Sequence, residues 1–502
     1  MGQTKSFPSR AENFPFFSLT FAETSVNIVD ALPNVIDIIR KSINTYYGES
    51  VSDECQGISD YSRRLQIKRH PFLSTNPREY TTWTKRLLCG MLQDLYRCGW
   101  KIAVDSNFSI AEDISTLFFE KLPYCSGCTS SIMCLCIKNL EKIQLINAPA
   151  EMIAAVGKDI LEDVHQSFTK KYDNVVEYHF SRSSSRNCSK RNQRLIIRER
   201  LLRCVEISQS LNYFYFGTAH VNGLTDCIFF IQDASRTPPM QSCCLFTVVN
   251  SKRIELYKGP SEIVEASEQC LKENDVFDII KTSDHSGQST LTFQLGGQWL
   301  NYTKRITYIS RLATRLIQKF REIGWNVITT VSLSTDRREK PIFVLRKCCP
   351  ASLPYFVLCP TGTDKIRLID ADREIIDFIS NIVRQTWTIG VQCEGVENHN
   401  YCFQLADMPW NSLGFGRIFE LSRMMMSRIL FELNSIGWRI VCSADLTANR
   451  AFGRSLNPHC WFLDRVAYSS LNPCFSLPPL PSYDDVINEE DLSVISVLDG
   501  LF

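Results

Sequence analysis

The sequence predicts an α+β chain of four tandem repeats of about 113 residues, each a mainly antiparallel sheet covered by two helices. Three observations carry that expectation. A helix-like segment ends in the same device three times, Gly99-Trp100, Gly324-Trp325 and Gly437-Trp438, with a degenerate fourth copy at Asn212-Tyr213. The four aromatic residues follow one another at 113, 112 and 113 residues, a register that chance does not keep. Around this device, strand-like columns and helix-opening residues recur at matching offsets.

Each unit opens with two strands. The first is Phe16–Phe21, Met133–Ile137, Leu245–Val249 and Tyr355–Cys359; the second is Val26–Val29, Ile143–Ile146, Ile254–Tyr257 and Ile366–Ile369, alternating or nearly so. A helix then opens at Pro33, Pro149, Pro260 or Asp372, because proline suits the first helical turn and Asp is a good N-cap. Its apolar residues fall at helical spacing, as in Val35, Ile36, Ile38 and Ile39. A further strand reads Leu65–Ile67, Tyr178–Phe180, Phe293–Leu295 and Phe403–Leu405, followed in two copies by Trp299 or Trp410. The second helix comes next and ends in the Gly-Trp device. An amphipathic helix needs a residue after its last turn that tolerates the left-handed conformation, usually Gly and next Asn, so Asn212 fits the role of Gly99, Gly324 and Gly437. The aromatic opens a strand (Lys101–Val104, Phe214–Gly217, Asn326–Thr329, Arg439–Cys442), and a last strand carries paired large residues such as Phe118-Phe119 and Trp461-Phe462.

The unit order is therefore strand-strand-helix-strand-helix-strand-strand, at residues 15–122, 131–232, 243–347 and 354–465. Segment 1–14 precedes the repeats, and 466–502 forms a proline-rich and then acidic tail. The phase of the repeat stays open, as does an arrangement in which units share sheet edges and close into a ring.

Composition narrows the function. Of 502 residues, 44% are hydrophobic and 22% charged, near the globular average, which excludes wholesale disorder. A net charge of +1 argues against a surface that is one nucleic-acid footprint, and no nucleic-acid partner is expected. No apolar run approaches the roughly 18–20 residues of a membrane-spanning helix. The start, Met1-Gly2-Gln3-Thr4-Lys5-Ser6, lacks the apolar stretch of a secretory signal. The 21 cysteines are odd in number, and many lie in apolar strand-like runs (Cys134, Cys136, Cys227, Cys243, Cys244, Cys359, Cys402, Cys442, Cys460), where a small buried hydrophobe is the simpler reading. A reducing, cytosol-facing location follows as the default.

Four features qualify as candidate sites. Gly2 with Ser6 matches the N-myristoylation pattern and, over six residues, resembles the amino terminus of acylated Src-type kinases; that resemblance implies an acyl chain inserted into the inner membrane leaflet. One myristoyl chain binds a bilayer only marginally, so a second contribution is needed. The basic stretch Arg182, Arg186, Lys190, Arg191, Arg194 and Arg198 could supply it by contacting lipid or phosphate, the plain alternative being a solvated loop and helix face. In the tail, Pro478, Pro479, Pro481 and Tyr483 form a PxxP-type segment suited to an SH3 or WW groove, or serve as a linker. Cys125 and Cys128 form a CxxC loop ahead of Cys134 and Cys136, the best metal candidate, although no second CxxC follows at zinc-finger spacing.

Catalytic constellations are thin. The seven histidines recur in no shared column, and no GxSxG, Walker A, HExxH or EF-hand pattern appears. After the Gly-Trp strand one column reads Asn107, His220, Ser332 and Asp445, a drift not expected of a catalytic acid. No cofactor is expected. The reading that follows is a non-enzymatic, membrane-associated adaptor or scaffold on the cytosolic face, with a ligand-binding or enzymatic protein as the alternative.

Overall fold

The fold was analysed in a computed structural model, which describes residues 14–48, 51–68, 72, 78–110, 115–122, 130–138, 140, 142–161, 167–172, 174–180, 190–220, 227–233, 242–250, 253–273, 280–283, 290–294, 302–333, 341–411, 416–446 and 458–465. Unit 1 runs β1 (Phe16–Ala22), β2 (Ser25–Val29), α1 (Pro33–Ser42), β3 (Val51–Gln56), β4 (Arg63–Ile67), α2 (Arg78–Arg97), β5 (Trp100–Ser106) and β6 (Thr116–Lys121). Unit 2 repeats it as β7 (Ile132–Lys138), β8 (Lys142–Ile146), α3 (Ala150–Leu161), β9 (Ser167–Tyr172), β10 (Val175–Phe180), α4 (Lys190–Ser210), β11 (Tyr213–Ala219) and β12 (Cys227–Gln232). Unit 3 is β13 (Cys243–Asn250), β14 (Arg253–Tyr257), α5 (Ser261–Glu273), β15 (Ile280–Ser283), β16 (Thr290–Gln294), α6 (Tyr302–Glu322), β17 (Trp325–Val331) and β18 (Ile342–Lys347). Unit 4 is β19 (Tyr355–Thr361), β20 (Lys365–Ile369), α7 (Arg373–Thr386), β21 (Val391–Glu397), β22 (Asn400–Leu405), α8 (Arg417–Ser435), β23 (Trp438–Ala444) and β24 (Cys460–Arg465).

Each unit builds its own six-stranded antiparallel sheet, and all four sheets share one strand order, β3-β4-β2-β1-β6-β5 in unit 1. The four-unit α+β expectation holds, with one strand more per unit than the sequence indicates. The added strand (β3, β9, β15 or β21) forms the outer edge of its sheet. In unit 1 that strand is largely exposed and reads Val-Ser-Asp-Glu-Cys-Gln, so it lacks the apolar alternation by which strands are recognised. Because each sheet draws its strands from one contiguous stretch, the two chain ends do not complete each other's sheet.

The helix-ending device has one geometry in all four units. Gly99, Gly324 and Gly437 sit at φ of 81°, 83° and 86°, and Asn212 at 61°, all in the left-handed region. Trp100, Trp325 and Trp438 follow at 1%, 1% and 3% exposure, and Tyr213 at 2%, so all four rings occupy equivalent buried places. The strand that each ring opens carries a β-bulge at the same point, between Ile102 and Val104, Tyr215 and Gly217, Val327 and Thr329, and Ile440 and Cys442. At the start of α7 the Asp372 carboxylate accepts a hydrogen bond from the Ile375 amide, and Pro33 fills the first turn of α1.

The units close into a ring. α2 packs on β7 of unit 2, α4 on β13 of unit 3, α6 on β19 of unit 4, and α8 returns to β1 of unit 1. The inner-edge strands β5, β11, β17 and β23 lie against one another at the centre. Each helical layer thus separates two sheets, and each sheet is buried on both faces: one by its own helices, the other by those of the preceding unit. The apolar clusters reflect this. One joins α1 and α2 to the unit 2 face carrying Cys134, Cys136 and Phe229, and another joins α7 and α8 to the unit 1 face carrying Phe16 and Phe118. Burial on both faces explains why β1 and β7 read as nearly continuous apolar runs, a pattern that antiparallel sheets with one wet face do not show. Among the described residues, no helix is long and apolar enough to cross a membrane.

Candidate functional site

The helical spacing of α2, α4, α6 and α8 puts one residue of each against the next unit's sheet, and this position is polar in every unit: Lys85, Arg198, Ser310 and Arg423, 4%, 7%, 0% and 1% exposed. In the first two junctions it meets the third residue of the next unit's second strand, Gln144 or Glu255; the corresponding strand residues in units 4 and 1 are Arg367 and Asn27. Lys85 Nζ donates to Gln144 Oε1 at 2.5 Å, and Arg198 pairs with Glu255 at 2.7 Å. Nearby on the same helices, Glu199 holds Lys258 at 2.8 Å and Arg311 holds Asp370 at 2.7 Å, with the charges reversed. Buried charge is tolerated only when paired, so these contacts fix how each unit seats on the next. Sequence reasoning missed this column. The signal was present, since Lys85, Arg198, Ser310 and Arg423 recur at the repeat spacing, but on helices that carry many charges one more polar residue reads as a solvent-facing position.

The junction of units 1 and 2 stands apart chemically. Cys134 and Cys136 on β7 and Cys227 on β12 bring their sulfurs together, at 3.5 Å for Cys134–Cys136 and 3.4 Å for Cys136–Cys227, all fully buried. All three sulfurs lie within 4.8 Å of one another. One turn along α2 from Lys85, the buried Cys89 thiol lies beside Cys134. Burial works against the Lys85 ammonium, but the neighbouring thiols outweigh it and raise its pKa. Burial likewise pushes the Cys136 thiol up, yet hydrogen bonds from Cys134 and Cys227 and the charges of Lys85 and Lys138 hold it well below an ordinary thiol. Lys138 is lowered to about 8 by burial and by repulsion from Lys85 and Lys142. Beyond Gln144, Glu177 takes Lys142 at 2.7 Å and His179 at 2.8 Å.

Cys136 and Cys227 stand directly opposite each other on paired strands. The same place in unit 4 holds Cys359 and Cys460, which are buried in the apolar core as expected and are in addition joined by a disulfide with Cα atoms 4.3 Å apart. Cross-strand neighbours in an antiparallel pair come close enough for that bond. In unit 1 the place holds Thr20 and Thr116, whose hydroxyls share a hydrogen bond at 2.8 Å.

At the centre of the ring the inner strands present a column of Asp105, Thr218, Thr330 and Ser443. Thr218 donates to Asp105 at 2.8 Å, and Thr330 donates to the Ser443 carbonyl at 2.5 Å. Ser106 meets Ser443 at 2.9 Å and receives the Trp461 indole N–H at 2.6 Å, linking unit 1 to unit 4. Ser443 also lies 3.1 Å from His459 Nδ1.

Of the other residues singled out in the sequence, Gly2, Cys125, Cys128, Arg182, Arg186, Pro478, Pro479, Pro481 and Tyr483 lie outside the described residues, as do the side chains of Lys190 and Arg191. Arg198 is corrected: expected at a lipid or phosphate, it is buried against Glu255 because α4 packs on the unit 3 sheet. Arg194 is half-buried on the same helix, its charge acting on the same carboxylate. Asn107, His220, Ser332 and Asp445 directly follow the inner strands β5, β11, β17 and β23.

One domain-family model matches the chain three times, over residues 15–120, 242–346 and 354–463, which are units 1, 3 and 4. No curated protein and no solved structure matches. The unmatched unit 2 is the one whose Gly-Trp pair has become Asn212-Tyr213, yet its sheet has the strand order of the others. Matched over more than half its length by one recurring domain, the chain belongs to that domain family.

Proposed function

We propose that this protein is a non-enzymatic adaptor, held on the cytosolic face of a membrane by an acyl chain on Gly2 and offering its ring and proline-rich tail to partners. The observation that carries the reading is the use of every unit as a neighbour's support. All four helical layers are filled on both sides, and the inner strands tie to one another, so the repeats supply shape before chemistry. Twelve residues of chain span from Gly2 to Phe14, at most about 40 Å, a reach that suits a tether between ring and bilayer. Arg182, Arg186, Lys190 and Arg191 remain available to this reading as the second, electrostatic contribution. Pro478, Pro479, Pro481 and Tyr483 serve it as the segment for an SH3 or WW groove.

Metabolic labelling with an alkyne myristate tests the anchor. Label in the wild type, absent in Gly2→Ala together with a shift from the membrane to the supernatant fraction, is the expected result; an unlabelled wild type sinks the proposal. The alternative of an enzyme draws on one contact, Ser443 beside His459. Ser443 is 5% exposed and also held by Ser106, so a fluorophosphonate probe is expected to leave it unmodified; labelling of Ser443 would favour the enzyme instead.

A further inference from the structure

We propose that Cys89, Cys134, Cys136 and Cys227 form a structural zinc site that fastens the second helix of unit 1 to the sheet of unit 2. Three donors already converge, two on β7 and one directly across on β12. Cys89 on α2, beside Cys134, is the fourth, which has to swing in because its sulfur is not within 4.8 Å of all three. Zinc bonds thiolate sulfur at about 2.3 Å, which puts tetrahedral ligands about 3.8 Å apart. The Cys134–Cys136 and Cys136–Cys227 separations of 3.5 and 3.4 Å need only small adjustments to admit the ion. With Cys89 drawn in, the shell is four thiolates with every donor buried, the arrangement of structural rather than catalytic zinc.

Charge supplies the independent argument. Four thiolates around a divalent ion carry two net negative charges, and Lys85 is a buried cation set between a neutral amide and these sulfurs. In the equivalent place, Arg198 has the Glu255 carboxylate. A zinc tetrathiolate gives Lys85 the same kind of counter-charge, with Lys138 on the same face of β7 as a second cation. A Cys136–Cys227 disulfide, the counterpart of Cys359–Cys460, would leave that ammonium against neutral sulfur.

The experiment uses the full chain, purified from zinc-supplemented cells and again after exchange into cobalt. About one zinc per chain is expected, with four sulfur neighbours in the zinc-edge X-ray absorption of the wild type. Cobalt is expected to give a sulfur-to-metal charge-transfer band that Cys227→Ser and Cys134→Ser lose and that Cys204→Ala, a buried thiol elsewhere in unit 2, keeps. The absorption measurement on wild type stands even where a variant fails to fold. Absence of stoichiometric metal, a zinc shell of nitrogen and oxygen, or a Cys136–Cys227 disulfide in a non-reducing digest would each overturn the assignment. So would a cobalt band lost in Cys125→Ser but retained in Cys227→Ser.

Discussion

Gly324→Ala probes the repeated helix end most directly, because two separate costs can be measured against a matched control. Gly324 sits at φ +83°, and a Cβ there would lie 2.7 Å from the Cys348 carbonyl oxygen and 3.2 Å from the Pro350 ring. Gly48, at the end of the α1 segment, has φ +75° with nothing within 4 Å of the same atom. Alanine at Gly48 therefore meets only the left-handed penalty, about 1 kcal/mol. Alanine at Gly324 meets that penalty and must also displace backbone. The displaced stretch includes the Cys348 amide, which donates to Gly324 O at 2.7 Å. Overpacking of this kind adds about 1–3 kcal/mol, for a total near 2–4. Urea unfolding followed by circular dichroism gives both values, provided the slope with denaturant is unchanged. The same series includes Asn212→Gly, which relieves a side chain held at φ 61° and is expected to be neutral or stabilising by a few tenths of a kcal/mol. If Gly324→Ala costs no more than Gly48→Ala, the close approach that seats the Gly-Trp device is wrong.

Other perturbations read other parts of the ring. Trp438→Ala removes a ring that packs edge-on against Phe356 with centroids 4.7 Å apart, and is expected to cost about 3–5 kcal/mol in the same unfolding assay; a loss below 1 would place that ring outside the core. Burial raises the Asp464 carboxyl from 3.8 to about 6 despite help from Arg321 and the Tyr355 hydroxyl. The folded state therefore holds this proton more tightly, and the contribution is complete below pH 3.8 and lost as pH rises through 6, about 3 kcal/mol in all. Asp464→Asn lacks that slope, so its stability relative to wild type should climb between pH 4 and 6.5, and parallel profiles would refute the assignment. Glu255→Ala strands the buried Arg198 and is expected to cost about 3 kcal/mol, most of it recovered in the Arg198→Met/Glu255→Leu double variant; equal losses in both would show that the pair is not what matters. A chain opened within 234–241 and rejoined from 465 to 14 by a flexible linker should unfold within about 2 kcal/mol of wild type if the ring closes through α8 and β1, whereas a molten product would deny closure.

The repeat was legible because its devices are local. A left-handed residue after a helix, an aromatic that folds back on it and a proline at a helix start all act within a few residues, so their spacing survives in the sequence. The outer strands β3 and β21 were invisible for the opposite reason. They face water, carry Ser, Asp, Glu, Gln and Gly, and are strands only because a neighbour offers hydrogen bonds. Cys134 and Cys136 were grouped with the Cys125–Cys128 loop, while Cys227 was read as a small apolar residue, since nothing local tells a reader that 227 lies opposite 136. The role of Arg198 was misjudged by the same route: a basic stretch looks solvated until the sheet on which it rests is known.

Closure also explains why the polar column at the junctions differs from unit to unit while the apolar columns agree. A unit taken alone would leave one sheet face and one helical face bare, so the four copies fold as one body, and each must find the correct neighbour among three near-identical surfaces. Apolar packing discriminates poorly between such copies. The buried polar residues discriminate well: Arg198 suits Glu255, but seated against unit 4 it would meet Arg367, and Ser310 set against unit 3 would leave Glu255 without that cation. Lys85 facing Gln144 and the thiols is a third, distinct key. Sequence divergence at these few positions is therefore what turns four copies of one blueprint into a single ordered ring.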